Sequence, residues 1–157
     1  MSKQVVNGSF SLEIPDAFQP MSREELRMFY REEDMNQWGV WDREHHVLIT
    51  VLWKQYPLLL SWLADLKAMA KRNQQLVSRG YEGHDYCLSE YLSIQAGKVQ
   101  TEGYRFTFRQ GEISQAAETF LFKTGKLVYS ISCIGREENR EADQVLFHKV
   151  LDSLRIL

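Results

Sequence analysis

Three glycine turns, at Ala96-Gly97, Gln110-Gly111-Glu112 and Thr124-Gly125, divide the second half of the chain into four runs with strand character, 86–94, 99–109, 113–122 and 127–134. Connections this short join only antiparallel neighbours, because a parallel pair needs a crossover of a dozen residues or more. Glycine supplies the positive φ that such turns require. A four-strand meander is therefore the frame on which the rest of the chain must pack.

The first half supplies that rest. Phe10, Leu12 and Ile14 alternate with polar or small residues over Ser9–Ile14 and predict a half-buried strand that Pro15 closes. Ser22-Arg23-Glu24-Glu25 has the spacing of a capping box, so a short helix should follow through about Arg31, with Leu26, Phe29 and Tyr30 on its apolar stripe. Two further strands, 37–42 and 47–54, flank the polar stretch Arg43-Glu44-His45-His46, and Val47–Trp53 is apolar on both alternating faces. A long helix is expected from Pro57 to Gly80, carrying Leu59, Trp62, Leu63, Leu66, Met69 and Ala70 at helical spacing. A last helix begins near Asn139 or Glu141 and reaches about Leu154, with Ala142, Val145, Leu146, Val150 and Leu154 as its buried stripe. The order predicts one α+β domain over 1–157, a mainly antiparallel sheet of six to seven strands with three helices.

Composition narrows the function. Nineteen Lys and Arg against twenty-one Asp and Glu give a formal net charge of -2, so no basic field draws nucleic acid. The richest apolar stretch, 56–66, is broken by Ser61 and Asp65 and is far short of the roughly twenty residues of a membrane span, so stable membrane insertion is not expected. Two cysteines, Cys87 and Cys133, make no disulfide framework, and no signal-peptide run opens the sequence; a reducing cytoplasm is the expected compartment.

Alternation along the strands separates two surfaces. Val47, Ile49, Val51 and Trp53 go with Tyr104, Phe106, Phe108, Phe120, Phe122, Leu127, Tyr129, Ile131 and Cys133 as a bulky face suited to packing under helices. The opposite face is small, apolar and hydroxyl-bearing, and its candidate partner-binding residues are Leu48, Thr50, Leu52, Thr107, Thr119, Leu121, Ser130 and Ser132. Six strands make a sheet roughly 25 to 30 Å wide, whereas one helix covers roughly 10 Å. With three helices, one of them short, either both faces are partly covered or one is left as a groove for apolar helices or for a second copy.

Catalytic signatures do not emerge. His45-His46 beside Asp42 and Glu44 reads as a hairpin turn, because adjacent residues on a strand point to opposite sides and no third ligand has fitting spacing. His84-Asp85 reads the same way, and His148 as a surface or boundary residue of the last helix. Both cysteines fall in apolar strands, where an inert buried thiol is usual. Gly97-Lys98 and Gly125-Lys126 lack the pattern of a phosphate-binding loop. Glu24, Glu25, Glu32, Glu33 and Asp34 read as a solvated face, and Trp38, Trp41, Trp53 and Trp62 as core or groove lining. No catalytic residue, metal or cofactor is expected.

The N-terminal Phe-Ser-Leu-Glu-Ile-Pro strand (Phe10 to Pro15), Gly103-Tyr104-Arg105-Phe106 in the meander, and a closing helix ending Val-Leu-Asp-Ser-Leu-Arg together resemble the PsbP/Mog-type α/β/α sandwich. Within it they resemble the cytoplasmic bacterial branch that includes the Eag chaperones of type VI secretion. This resemblance implies a non-enzymatic, homodimeric chaperone that holds the N-terminal transmembrane helices of an effector protein before loading on the secretion spike. The groove hydroxyls would serve small polar residues or backbone of those helices. Two other classes stay open: an adaptor for a folded partner, as in the Mog-type relatives, and a small-molecule-binding domain with a closed, polar-lined pocket.

Overall fold

The computed structural model describes residues 1–29, 36–55 and 65–157. Ten strands and three α-helices lie among them: β1 (Ser2–Val6), β2 (Phe10–Ile14), β3 (Gln19–Pro20), α1 (Arg23–Phe29), β4 (Asn36–Asp42), β5 (Val47–Gln55), α2 (Leu66–Gly80), β6 (Cys87–Ala96), β7 (Val99–Gln110), β8 (Ile113–Thr124), β9 (Leu127–Arg136), α3 (Arg140–Asp152) and β10 (Arg155–Ile156). Seven strands form one antiparallel sheet in the order β3-β4-β5-β9-β8-β7-β6, and β1-β2-β10 form a second. The expected meander is β6 to β9, joined by turns in which Gly97, Gly111 and Gly125 all have φ near +60°.

The hairpin β1–β2 is an addition that the alternation from Ser9 onward does not reveal. Its signal is Asn7-Gly8, both at positive φ, with Ser9 N donating to the Val6 carbonyl at 3.0 Å. This dipeptide is a strong hairpin signal. The short strands β3 and β10 carry no such signal, since two residues are too few for alternation to show.

Local chemistry sets the helix boundaries. At α1 the capping box closes as expected: Glu25 N donates to Ser22 Oγ at 3.1 Å and Ser22 N to Glu25 Oε1 at 2.9 Å. Its expected continuation through Tyr30 and Arg31 lies outside the described residues, as do Glu32, Glu33, Asp34, Pro57, Leu59, Trp62 and Leu63. The long helix does not run unbroken from Pro57. Asp65 is extended, with ψ 126°, and caps α2 by accepting from Lys67 N at 3.1 Å. An Asx cap satisfies one of the free amides of the first turn and starts a helix there.

The large sheet has a face under each helical layer. Face one carries Val47, Ile49, Val51, Phe120, Phe122, Tyr129 and Ile131, and it packs against α3 and the small sheet through Phe10, Leu12, Phe147, Val150, Leu151 and Leu154. The Phe10 ring meets Phe122 and Tyr129 edge-on at 5.1 and 5.0 Å, and Asn7 Nδ2 donates to the Tyr129 hydroxyl at 3.0 Å, so the buried phenol is partnered. Face two meets α1 at β4 and α2 at β7 and β8. The buried stripe of α3 differs from the expected one. Val145 is 61% exposed and Ala142 is exposed, whereas Phe147 and Leu151 are fully buried. Val150 and Leu154 belong to both stripes, and Leu146 is part-buried against the same core as expected; each residue turns about 100° around the axis, so Phe147, Val150, Leu151 and Leu154 share the innermost side.

Candidate functional site

Residues paired across strands point to the same face. The register Thr50↔Ser132↔Thr119↔Tyr104 therefore makes one row across β5, β9, β8 and β7, and Leu52↔Ser130↔Leu121 makes a second beside it. Seven of the eight candidate residues, all but Thr107, share face two: Leu48, Thr50, Leu52, Thr119, Leu121, Ser130 and Ser132. The hydroxyls are linked, with Thr119 Oγ1 and Ser132 Oγ 2.8 Å apart. Next in the row, the Tyr104 hydroxyl donates to Asn73 Oδ1 of α2 at 2.5 Å.

Thr107 is the exception and belongs to face one. Tyr104↔Thr119 and Phe106↔Ala117 set the phase of β7, so Tyr104, Phe106 and Phe108 stand on face two with Met21, Leu26 and Leu48, while Arg105 and Thr107 stand on the other side. The expected assignment of the three aromatics to the main core is thus reversed. Both faces are covered, so an aromatic stripe is equally at home on either.

Much of face two is closed. Thr50, Thr119 and Leu121 are each no more than 4% exposed, Leu48 packs with Met21 and Leu26, and Leu121 packs with Met69 and Val128 beside α2. Of the candidate residues on this face, those still reached by solvent are Leu52, Ser130 and Ser132 on β5 and β9, a strip between the strand that carries α1 and the strands that carry α2. A groove spanning the whole face is therefore narrowed to that strip.

Face one carries a charged network that strand alternation did not single out. Glu118, only 3% exposed, accepts from Arg105 Nε at 3.1 Å through Oε1 and lies 2.8 Å from His148 Nε2 through Oε2. Arg105 Nη1 also donates to Glu90 at 2.6 Å. The readable signal was a glutamate at an inward position of an apolar strand, with an arginine on the neighbouring one. His148 is thus a boundary residue with a defined partner. Beside the network, Asp143 of α3 buries Oδ2 with no hydrogen-bond partner, and desolvation pushes its carboxyl up to about 6, opposed by the positive charge of His45.

The remaining candidates are local. His45 is exposed and its Nδ1 sits 2.6 Å from Asp42 Oδ2, which raises the imidazole above its ordinary range. His46, at φ 57°, completes the turn. Cys133 is buried and burial holds its thiol well above the usual value, but Cys87 is exposed, because β6 is an edge strand.

No family model and no curated protein matches the sequence. Solved structures do. The cyanobacterial PsbP (CyanoP) of Synechocystis sp. PCC 6803 superposes with a TM-score of 0.73 at 11% identity, over 99% of this chain and 92% of that one. The Ran-binding protein Mog1p of Saccharomyces cerevisiae gives 0.61 at 12% identity, over 99% and 96%. This is the PsbP/Mog1 fold. A Pseudomonas aeruginosa protein of unknown function, PA94, shares it with a TM-score of 0.53 at 9% identity, over 98% and 94%. The predicted α+β architecture with its seven-stranded antiparallel sheet stands, and among the described residues no helix is long and apolar enough to cross a membrane.

Proposed function

We propose that this chain is a non-enzymatic, protein-binding adaptor of the cytoplasm that acts as a homodimer and shelters the N-terminal transmembrane helices of a type VI secretion effector. The observation that carries the reading is the half-buried strip Leu52, Ser130 and Ser132 beside the hydroxyl row of Thr50 and Thr119. An apolar helix leaves water if it meets apolar side chains, and its small polar residues need hydroxyl partners once there. The strip offers both within two adjacent rows of the sheet. Likeness of fold to a Ran-binding protein supports the wider reading of a protein adaptor.

The test is coexpression with the N-terminal segment of an effector encoded beside this chain, followed by purification without detergent. Leu52→Glu and Ser130→Tyr alter the strip at part-exposed positions. Leu121→Glu would bury a charge beside Met69 and report on folding instead. A soluble complex lost in both strip variants supports the chaperone. An insoluble client with wild type removes it and leaves the adaptor for a folded partner, as Ran is for Mog1p, as the reading to pursue.

A further inference from the structure

On face one, opposite the strip, the first two turns of α3 stand over β6 to β9 and leave a cleft of about 340 Å³. Four carboxylates line it, Glu90 of β6, Glu118 of β8, and Glu141 and Asp143 of α3, against two guanidinium groups, Arg105 and Arg140. Arg105 is already engaged by Glu90 and Glu118, so its charge is spent within the wall. His148 also lies 2.8 Å from Glu118, so the groups left over are Arg140, Glu141 and Asp143, in which two carboxylates outnumber one guanidinium. Phe147 and Cys133 supply an apolar lining at which the methylene stem of a basic side chain could rest.

The mouth of the cleft lies at an open sheet edge. Among the described residues β6 has a neighbour on one side only, and the two residues that bring the cleft to that edge, Ser89 and Glu90, are both on it. Edges are commonly blocked by lysine or proline, or by a bulge that twists them away. β6 contains neither residue; its register shifts once between Leu88 and Glu90, and from Glu90 to Ala96 the ladder is regular. An added strand would place its alternate side chains on the same face as Glu90, at the cleft mouth.

We propose that this cleft receives an alkylguanidinium or alkylammonium group, presented as an arginine or lysine side chain by an extended partner segment laid along β6. Charge complementarity names the side chain, and the free edge names the backbone conformation. The site is separate from the Leu52–Ser132 strip, so either can fail without the other.

The test follows amide shifts in ¹⁵N spectra of the full chain on titration with three probes. These are an acetylated, amidated β-prone peptide with one central arginine, the same peptide with glutamate at the centre, and agmatine. The arginine peptide should saturate, shift residues of β6 and of the first turns of α3, and weaken at least about tenfold in Glu141→Arg and in Glu90→Gln, each checked for a native spectrum. Agmatine should shift the α3 residues and leave the outer edge of β6 unmoved. Binding of agmatine as tight as the peptide would overturn strand docking and make the ligand a free amine. Absence of saturation with the arginine peptide, equal binding of the glutamate peptide, or a site that binds sulfate and is lost in Arg140→Gln would overturn the proposal.

Discussion

Arg105 and Glu118 stand directly opposite each other on β7 and β8, and the guanidinium Nε donates to the carboxylate at 3.1 Å on the face that also carries the main core. A buried carboxylate costs several kcal/mol unless charge and hydrogen bonds compensate it, and removing one member of such a pair costs more than never having had it. Arg105→Met leaves Glu118 with His148 alone. The expected loss is about 2–3 kcal/mol by urea denaturation. Adding Glu118→Gln to Arg105→Met should return part of it, because the orphaned charge is then gone; a double variant as unstable as the two single losses summed would show that the pair is not coupled.

Asp143 gives a pH dependence of definite sign. Its folded carboxyl titrates at about 6, above the ordinary 3.8, so the native state holds the proton more tightly than the unfolded chain. Ionisation then opposes folding: stability falls as pH rises between about 4 and 6, and the full penalty is present at pH 7. Asp143→Asn should therefore be more stable than wild type at pH 7 by on the order of 1 kcal/mol, a modest figure because solvent screens a part-exposed group. The gain should shrink toward zero as pH approaches 4. Thermal melts at pH 4, 5 and 7 check it, and a constant difference across them would refute the assignment.

On α3, neighbouring apolar residues should differ sharply. Phe147→Ala removes a fully buried ring that meets Phe120 at 6.0 Å and is expected to cost about 3–5 kcal/mol. Val145→Ala, at an exposed position, should change stability by less than about 0.5 kcal/mol. Denaturant midpoints of the two variants settle which stripe faces the sheet.

Legibility followed how many constraints acted on each segment. The meander could be read because glycine turns fix both strand ends and antiparallel pairing, and the α1 cap because Ser22 and Glu25 satisfy each other within four residues. Alternation within β5, β8 and β9 gave the right partition, and so seven of the candidate residues share a face. It failed at β7 for a physical reason. A strand with one wet face declares its phase, but β7 lies between helices on one side and an ion network on the other, so Tyr104, Phe106 and Phe108 fitted either side until the pairing with β8 was known. The cleft was invisible for a related reason: Glu90, Arg105, Glu118 and Asp143 come from four elements, and only the register and the placement of α3 bring them together. The α3 stripe is legible in part: Leu146, Val150 and Leu154 pack as expected, but Val145 and Phe147 are both apolar and periodicity over so short a helix accepts either.

The strand β2 is held on one side by residues 2–6, made just before it, and on the other by residues 155–156, which follow nearly all the rest of this sequence. During synthesis the first hairpin can form at once, yet one flank of β2 stays bare until the sheet and α3 have been made. Closing so long a loop is slow compared with closing a hairpin. The pairing of β2 with β10 is thus the strand contact whose residues are synthesised last. Until Arg155 and Ile156 have left the ribosome, the free edge of β2 can pair with a strand of another chain, so completion of the small sheet waits on those two residues.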